Sequence, residues 1–370
     1  MSNNERYSRQ MILPGFGLAA QEKLRAAKVL LVGLGGLGCP ALQYLVGAGV
    51  GSIGIMDADK VSISNLHRQL LYSETDIGQL KTTVAAKKIS EQNAAISIEI
   101  YAYAINKQNA LQIIKDYDLV IDGTDNFSAK YLINDACVLL NKPWIYGAVY
   151  RYEGQVSVFN LGSLPLTQPL INYRDIFPQK PYNGEIASCE AAGVLGVIPG
   201  IIGTMQAAEA IKIITGIGKP LYGRMFNYNL LEGNSYEIEM VKIKDAPTID
   251  QAFFNTMNTD ISAVVDCDAL DIDIEEIDTV SFIQLRTNPN VFVLDVRERH
   301  EYPAIDFSHA QIPMSELRQA IFDLPEKELC IICHQGIRSI YAGQLIRAKR
   351  NLKVYSLKGG LTAYFNKVKA

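Results

Sequence analysis

The sequence holds no surplus of positive charge: 35 Lys and Arg stand against 39 Asp and Glu, a net charge of −4. That argues against a nucleic-acid binder working through a general basic field. Behind Met1-Ser-Asn-Asn-Glu-Arg6 there is no apolar h-region, so no signal peptide is read there. Long charge-free runs are also scarce. The run 191–208 reaches 18 residues, the lower limit for a membrane span. It is interrupted by Gly193, Gly196, Pro199, Gly200 and Gly203, it contains Gln206, and Glu190 and Glu209 flank it. We read it as a buried helix pair with a tight bend, in a cytoplasmic protein with no membrane and no nucleic-acid partner. The six cysteines, at 39, 137, 189, 267, 330 and 333, are too scattered for a disulfide framework. A tetrahedral zinc site needs two CxxC pairs or equivalent histidines. Only Cys330-Ile-Ile-Cys333 is present, and of four histidines only His334 stands beside it, so no structural zinc is expected.

What is present is material for a folded core. A chain of 370 residues suggests two to three domains, and 48% hydrophobic against 20% charged residues is ordinary for a globular interior. From about Arg25 to Ile243, short strand-like runs alternate with longer helical ones. Lys28–Val32, Ser52–Met56, Ser97–Tyr101, Leu119–Ile121 and Trp144–Gly147 read as strands; Cys39–Ala48, Thr82–Ser90, Leu111–Lys115 and Ala129–Leu139 read as helices. That alternation implies βαβ units and a mainly parallel sheet. Val156–Asn160, Gly223–Tyr228 and Tyr236–Ile243 look like antiparallel additions. Residues 266–278 carry seven acidic side chains and no basic one, which predicts a linker over 244–278. A shorter α/β pattern follows from about Thr279, with strands at Val291–Leu294, Glu328–Ile332 and Lys353–Ser356 and helices at Ser315–Phe322 and Ile337–Ala348. The expected division is 1–243, 244–278 and 279–370.

Gly33-Leu-Gly35-Gly36-Leu-Gly38 follows the first strand directly and opens a helix. Glycines there make a tight turn and let backbone N–H groups approach phosphate at the helix N-terminus. Asp57 ends the second strand 24 residues after Gly33, where a carboxylate can accept ribose hydroxyls. Read alone, this motif is equally that of a nicotinamide dehydrogenase, or a packing turn. The residues that follow favour ATP. Ser64-Asn65-Leu-His-Arg68 and Lys81 supply two cations and an amide, suited to a triphosphate with a pyrophosphate leaving group. Asp122-Gly-Thr-Asp125-Asn126 sits at the carboxyl end of a strand, where a carboxylate can hold Mg²⁺ against phosphates.

Taken together with Arg6-Tyr-Ser-Arg9-Gln10, Asp57-Ala-Asp59, Glu153-Gly-Gln155 and Gly193-Val-Leu-Gly196, these motifs resemble the MoeB/ThiF/HesA family over about residues 5–243. The resemblance implies a Rossmann-like adenylating domain that activates the C-terminal Gly-Gly carboxylate of a small β-grasp carrier, releasing pyrophosphate. It places Gly36, Asp57, Asn65, Arg68, Lys81 and Asp125 in the ATP site, with Gly33, Gly35, Gly38, Asp59, Ser64 and Asn126 around them. It makes Asp125 the Mg²⁺ ligand and sends Arg9 into the partner subunit's site of a homodimer. Members also carry two CxxC pairs that bind zinc. Here the corresponding stretches, Ile171–Pro178 and Lys242–Pro247, have no cysteine. Cys189 reads either as a small buried residue or, by its position in rhodanese-fused relatives, as an acyl-accepting nucleophile. A carrier-binding module without catalysis remains a further alternative.

Cys333-His-Gln-Gly336-Ile-Arg338-Ser339 follows a strand and starts a helix. Successive N–H groups at a helix N-terminus stabilise an anion, and Arg338 adds fixed positive charge. Four residues between Cys333 and Arg338 make a cradle suited to a single terminal sulfur. With Leu294–Glu298 and Leu357–Leu361 this resembles the rhodanese family over about 280–370, implying a persulfide on Cys333 and a sulfur donor such as thiosulfate or a cysteine desulfurase. Cys330 reads as core.

Overall fold

The computed structural model describes residues 3–162, 170–180, 193–244, 246–256, 274–297, 299, 301, 304–334 and 336–368. These form two compact units, one reaching to residue 256 and the other starting at 274.

The first unit is built on an eight-stranded sheet. Its strands are β1 (Lys28–Val32), β2 (Ser52–Met56), β3 (Ser97–Tyr101), β4 (Leu119–Asp122), β5 (Trp144–Tyr150), β6 (Glu153–Phe159), β7 (Arg224–Asn229) and β8 (Asn234–Glu239), in the order β3-β2-β1-β4-β5-β6-β7-β8. The first five are parallel and the last three antiparallel. Parallel strands covered on both faces read as unbroken apolar runs, and β1 shows why: Val29 and Leu31 enter one core while Leu30 and Val32 enter the other. Helix Gly38–Ala48 seals the first core through Leu42 and Leu45; helix Phe127–Leu139 seals the second through Leu132, Ile133 and Ala136. β2 and β3 lie on one side of β1 and β4 on the other, so a crevice opens at the carboxyl ends of β1 and β4, where such sheets bind ligands.

Among the described residues of the charge-free run, 193–208, there is no bent helix pair but the start of one continuous helix, Val197–Thr215. Pro199 is its third residue, where no intrahelical N–H bond is required, so it starts the helix rather than breaking it. The helix has the length and apolarity of a membrane span, yet it is a core helix. Ile198 and Ile202 are buried, Gln206 Nε2 donates to the Asp122 carbonyl at 2.7 Å, and Glu209 accepts from Leu221 N at 2.8 Å. A Cβ on Gly203 would fall 2.1 Å from Leu37 O, so glycine permits the close approach to the Gly38–Ala48 helix.

The ends of the 244–278 stretch are folded, which the acidic composition did not suggest. Gln251–Thr256 is a helix whose Phe254, 2% exposed, joins the second core of the first unit. Glu275–Ile277 is a strand, β9, of the second unit. There it joins β10 (Val291–Asp295), β11 (Ala310–Gln311), β12 (Glu328–Ile332) and β13 (Val354–Leu357) in a parallel sheet ordered β11-β10-β12-β13-β9. Helices Thr279–Leu285 and Gly360–Val368 supply Phe282, Leu361 and Tyr364 to one core, and Ile337–Lys349 supplies Ala342 and Ile346 to the other.

Candidate functional sites

Backbone crowding explains the glycine loop. Gly33 has φ 92°, and a Cβ there would sit 2.7 Å from the Gly123 carbonyl; one on Gly38 would sit 1.9 Å from Gly33 O. The β1 and β4 turns are therefore pressed together, with Gly33 N bonded to Met56 O and Gly123 N to Val32 O, both at 2.7 Å. Gly36 faces Pro199, whose Cβ would be 3.0 Å from an added methyl, whereas Gly35 meets nothing nearer than Gln69 Nε2 at 3.7 Å. Close packing thus accounts for Gly33 and Gly38; it does not account for Gly35, which leaves open backbone beside the loop.

Asp57 ties that loop to the end of β2. One carboxylate oxygen accepts Leu34 N and the other Asp59 N, each at 2.7 Å. Burial raises its pKa, against the pull of Lys81 and the two backbone donors. Lys81, buried at the start of helix Lys81–Gln92, places Nζ 2.8 Å from Asp59 Oδ2. Arg68 donates to Ser64 O at 2.9 Å and lies 2.7 Å from His67 Nε2, and its Cγ would be 3.5 Å from a Cβ on Gly36. Asn65 accepts Ser62 N at 3.2 Å, and Ser64 Oγ is 3.0 Å from Ser62 Oγ. The turn carrying these residues leans on the start of helix Val197–Thr215, because a Cβ on Gly196 would fall 2.2 Å from His67 O.

Asp125 is exposed, and no described residue bonds its carboxylate. Asn126, grouped by resemblance with the nucleotide contacts, is the N-cap of helix Phe127–Leu139, its side chain accepting Ala129 N at 2.9 Å. Arg9 is exposed on the short helix Ser8–Met11. That arm is anchored by Tyr7, whose ring would meet a Cβ on Gly49 at 2.6 Å, near the amino end of β2. A single chain therefore holds Arg9 at the edge opposite the glycine loop. Cys189 lies outside the described residues.

The structure also forms pairings that the sequence reading did not single out. Asp122 and Lys130 are a fully buried ion pair at 3.0 Å, signalled only as polar residues interrupting an apolar strand and helix. At the positions of the absent CxxC pairs, Lys242 pairs with Asp175 at 2.8 Å and Ile243 N donates to Asp175 O at 2.9 Å. Arg174 forks onto buried Asp135, with Nε and an Nη within 2.8–2.9 Å of its oxygens. Among the described residues, no group of three His, Cys, Asp or Glu is placed to hold a metal.

In the second unit Cys333 follows β12 and is 1% exposed. Gly336 N points at its sulfur from 3.1 Å and Ser339 Oγ stands at 3.5 Å. Gly336 has φ 89°, required where the loop turns into helix Ile337–Lys349. The loop is braced by Leu361 N on Cys333 O at 2.9 Å and by the Ser339–Ser356 hydroxyl pair at 2.8 Å. Arg338, expected to charge the cradle directly, has both Nη atoms on the Glu301 carboxylate, at 2.5 and 2.7 Å. A buried guanidinium is stable only with a carboxylate to pair it, which is why Glu301 takes this place. Burial pushes the Cys330 thiol up to about 12, in keeping with core.

A Rossmann-like unit with a glycine loop, two cations and an exposed carboxylate, followed by a small parallel α/β unit with a thiol loop, defines a two-module nucleotide and sulfur protein class. The chain belongs to the ThiF family, whose pattern spans residues 7–249, and it carries a rhodanese-like domain over 279–367. This sets aside the nicotinamide-dehydrogenase reading. The chain is 48% identical to a sulfur carrier protein adenylyltransferase of Thermus thermophilus over 62% of its own length and 84% of that protein's. It is 39% identical to a probable molybdopterin-synthase adenylyltransferase of Porphyra purpurea, covering 98% and 92%. It is 36% identical to the probable adenylyltransferase/sulfurtransferase MoeZ of Mycobacterium tuberculosis, covering 97% and 92%. The solved structure of Escherichia coli MccB with ATP matches 66% of this chain and 73% of that one, with TM-score 0.55 and 24% identity, and supports the fold alone.

Proposed function

We propose that the chain is an adenylyltransferase and sulfurtransferase: it adenylates the C-terminal glycine of a small β-grasp sulfur carrier and delivers sulfur to it from a Cys333 persulfide. The coexistence of the Gly33–Gly38 anion loop and the Cys333 loop in one chain carries this reading. Adenylation activates a carboxyl but supplies no sulfur, and a persulfide supplies sulfur but no activation.

In the first half-reaction the carrier carboxylate attacks the α-phosphorus of ATP and pyrophosphate leaves. The loop N–H groups face the phosphates, Asp57 accepts ribose hydroxyls, and Arg68 and Lys81 balance charge building on the leaving group. Mg²⁺ would supply further positive charge there, and the exposed carboxylate of Asp125 would hold it, since this ion keeps most of its waters and takes one or two protein carboxylates. Arg9 serves the site of a second copy in a homodimer. In the second half-reaction the terminal sulfur of Cys333 attacks the acyl carbon and AMP departs, leaving an acyl disulfide on Cys333. Cys189 attacks the Cys333 sulfur, releasing the carrier thiocarboxylate and leaving a disulfide that an external thiol reduces. Thiosulfate or a cysteine desulfurase reloads Cys333, and the setting is the cytoplasm.

The test is ATP–pyrophosphate exchange that depends on a carrier ending in Gly-Gly, with mass spectrometry of the carrier C-terminus after adding thiosulfate. Tight NAD(H) binding without exchange would overturn the reading.

A further inference from the structure

We propose that Asp122, Lys130 and Thr124 form a positioning network that fixes the loop presenting Asp125; the inference rests on the adenylation reading above. Asp122 ends β4 and is fully buried behind Leu119, Val120 and Ile121. A carboxylate there is unfavourable unless every oxygen is satisfied. Its Oδ2 takes Lys130 Nζ at 3.0 Å, and its Oδ1 takes both Thr124 N at 2.8 Å and Thr124 Oγ1 at 2.6 Å. Lys130, 4% exposed, also donates to Gly147 O at 2.8 Å and stands 5.0 Å from the centre of the Tyr146 ring. The main chain of the same stretch is held as well, by Gly123 N on Val32 O and by Gln206 Nε2 on Asp122 O, each at 2.7 Å.

The loop is thus fastened at both ends: at Thr124 by Asp122, and at Asn126 by its N-cap bond to Ala129 N at 2.9 Å. Between the fastenings Asp125 alone is left with an exposed carboxylate bonded by no described residue. Starting helix Phe127–Leu139 requires only Asn126. The buried ion pair adds a second fixed point on the other side of Asp125, and neither of its members is exposed enough to meet a ligand itself. A free side chain between two rigid points is preorganised for an incoming cation–phosphate group. Asp122, Lys130 and Thr124 are positioning residues, acting through Asp125.

The experiment compares full-length Thr124→Val and Thr124→Ser with the unaltered chain. Thr124→Val removes the hydroxyl bond to Asp122 while keeping the buried pair. We expect kcat for carrier-dependent exchange to fall about tenfold to a hundredfold, the scale of a sub-ångström misplacement at a reacting group. Half-saturation by Mg²⁺ should rise in parallel, while the carrier KM and the thermal midpoint stay near their original values, and Thr124→Ser should restore both. Calorimetric ATP binding gives a readout independent of turnover: Thr124→Val should lose the Mg²⁺-dependent gain in affinity and keep the Mg²⁺-free affinity. Unchanged Mg²⁺ dependence in Thr124→Val, or equal losses in Thr124→Val and Thr124→Ser, overturns the network. Absence of exchange in the unaltered chain overturns the adenylation reading instead, and the calorimetric comparison still decides the network.

Discussion

Lys81 and Asp59 form an ion pair of unequal exposure: their charged atoms are 2.8 Å apart, with 5% of the lysine side chain accessible and 71% of the aspartate. The lysine stem is fixed by burial, while its partner is free to turn into solvent and leave the ammonium to a phosphate.

Such a pair contributes little to folding, about 1 kcal/mol or less, because water screens the exposed carboxylate. Lys81→Met should therefore shift the unfolding midpoint only slightly. Pyrophosphate exchange should fall by roughly a hundredfold or more, the cost of losing a charged group aimed at the departing phosphate. A loss of exchange matched by a loss of fold in circular dichroism would show a merely structural lysine.

Asp57 gives a pH dependence whose sign follows from its burial. Its pKa is raised above the ordinary aspartate value, so the folded protein takes up a proton at a pH where the unfolded chain is still ionised. Folding stability from this group is therefore lost as pH rises through that window and regained on acidification. Ligand binding runs the other way. The ionised form accepts ribose hydroxyls, so ATP affinity should be full above the raised pKa and decline as pH falls through it. Calorimetric titration of ATP from neutral pH downward should show the decline beginning at a higher pH than an ordinary aspartate gives.

The two stretches without cysteine are held by ion pairs of different worth: Arg174 ties the first to Asp135 of helix Phe127–Leu139, and Lys242 of the second pairs with Asp175 of the first. Arg174–Asp135 is buried on both sides, whereas Lys242 is about half exposed above buried Asp175. Asp135→Ala strands a buried guanidinium and should cost about 3–5 kcal/mol in urea unfolding. Lys242→Ala should cost about 1 kcal/mol or less, because solvent reaches its ammonium. Equal losses would mean that the segments are held by something other than these charges.

Much of this arrangement was legible in the chain. β1, β2 and β12 coincide with their apolar runs, since a strand buried on both faces can hold little else, whereas the edge strand β3, Ser-Ile-Glu-Ile-Tyr and largely exposed, declared itself by alternation. The glycine loop with Asp57 declared itself because close backbone approach and an end-of-strand acid are local features. What was not legible was who pairs with whom. Nothing in Asp122 or Lys130 separately distinguishes a buried pair from two surface charges, and Glu301 lies 37 residues from the arginine it holds. Helices Thr279–Leu285 and Gly360–Val368 were missed for a related reason: they are short, and much of their apolar content packs on each other and on a sheet assembled from distant strands. Pro199 misled in the opposite sense, as a helix breaker that is in fact a helix starter.

The last prediction separates Cys333 from the arginine beside it. Cys333→Ala should eliminate thiosulfate:cyanide sulfur transfer and carrier thiocarboxylation while leaving ATP–pyrophosphate exchange intact, because the sulfur is a reacting atom of the second step alone. Arg338 acts differently: its two Nη atoms are on Glu301 rather than on the sulfur. Removing either partner leaves the other charged and poorly solvated, so Arg338→Ala and Glu301→Ala should each destabilise the fold by about 3 kcal/mol. Their effects on sulfur transfer should also be similar, and the double variant should be little worse than either single one, the mark of two residues in one interaction. If Arg338→Ala instead abolishes sulfur transfer while Glu301→Ala leaves it near normal, the guanidinium contacts the persulfide directly during turnover, and the forked pair is only its resting position.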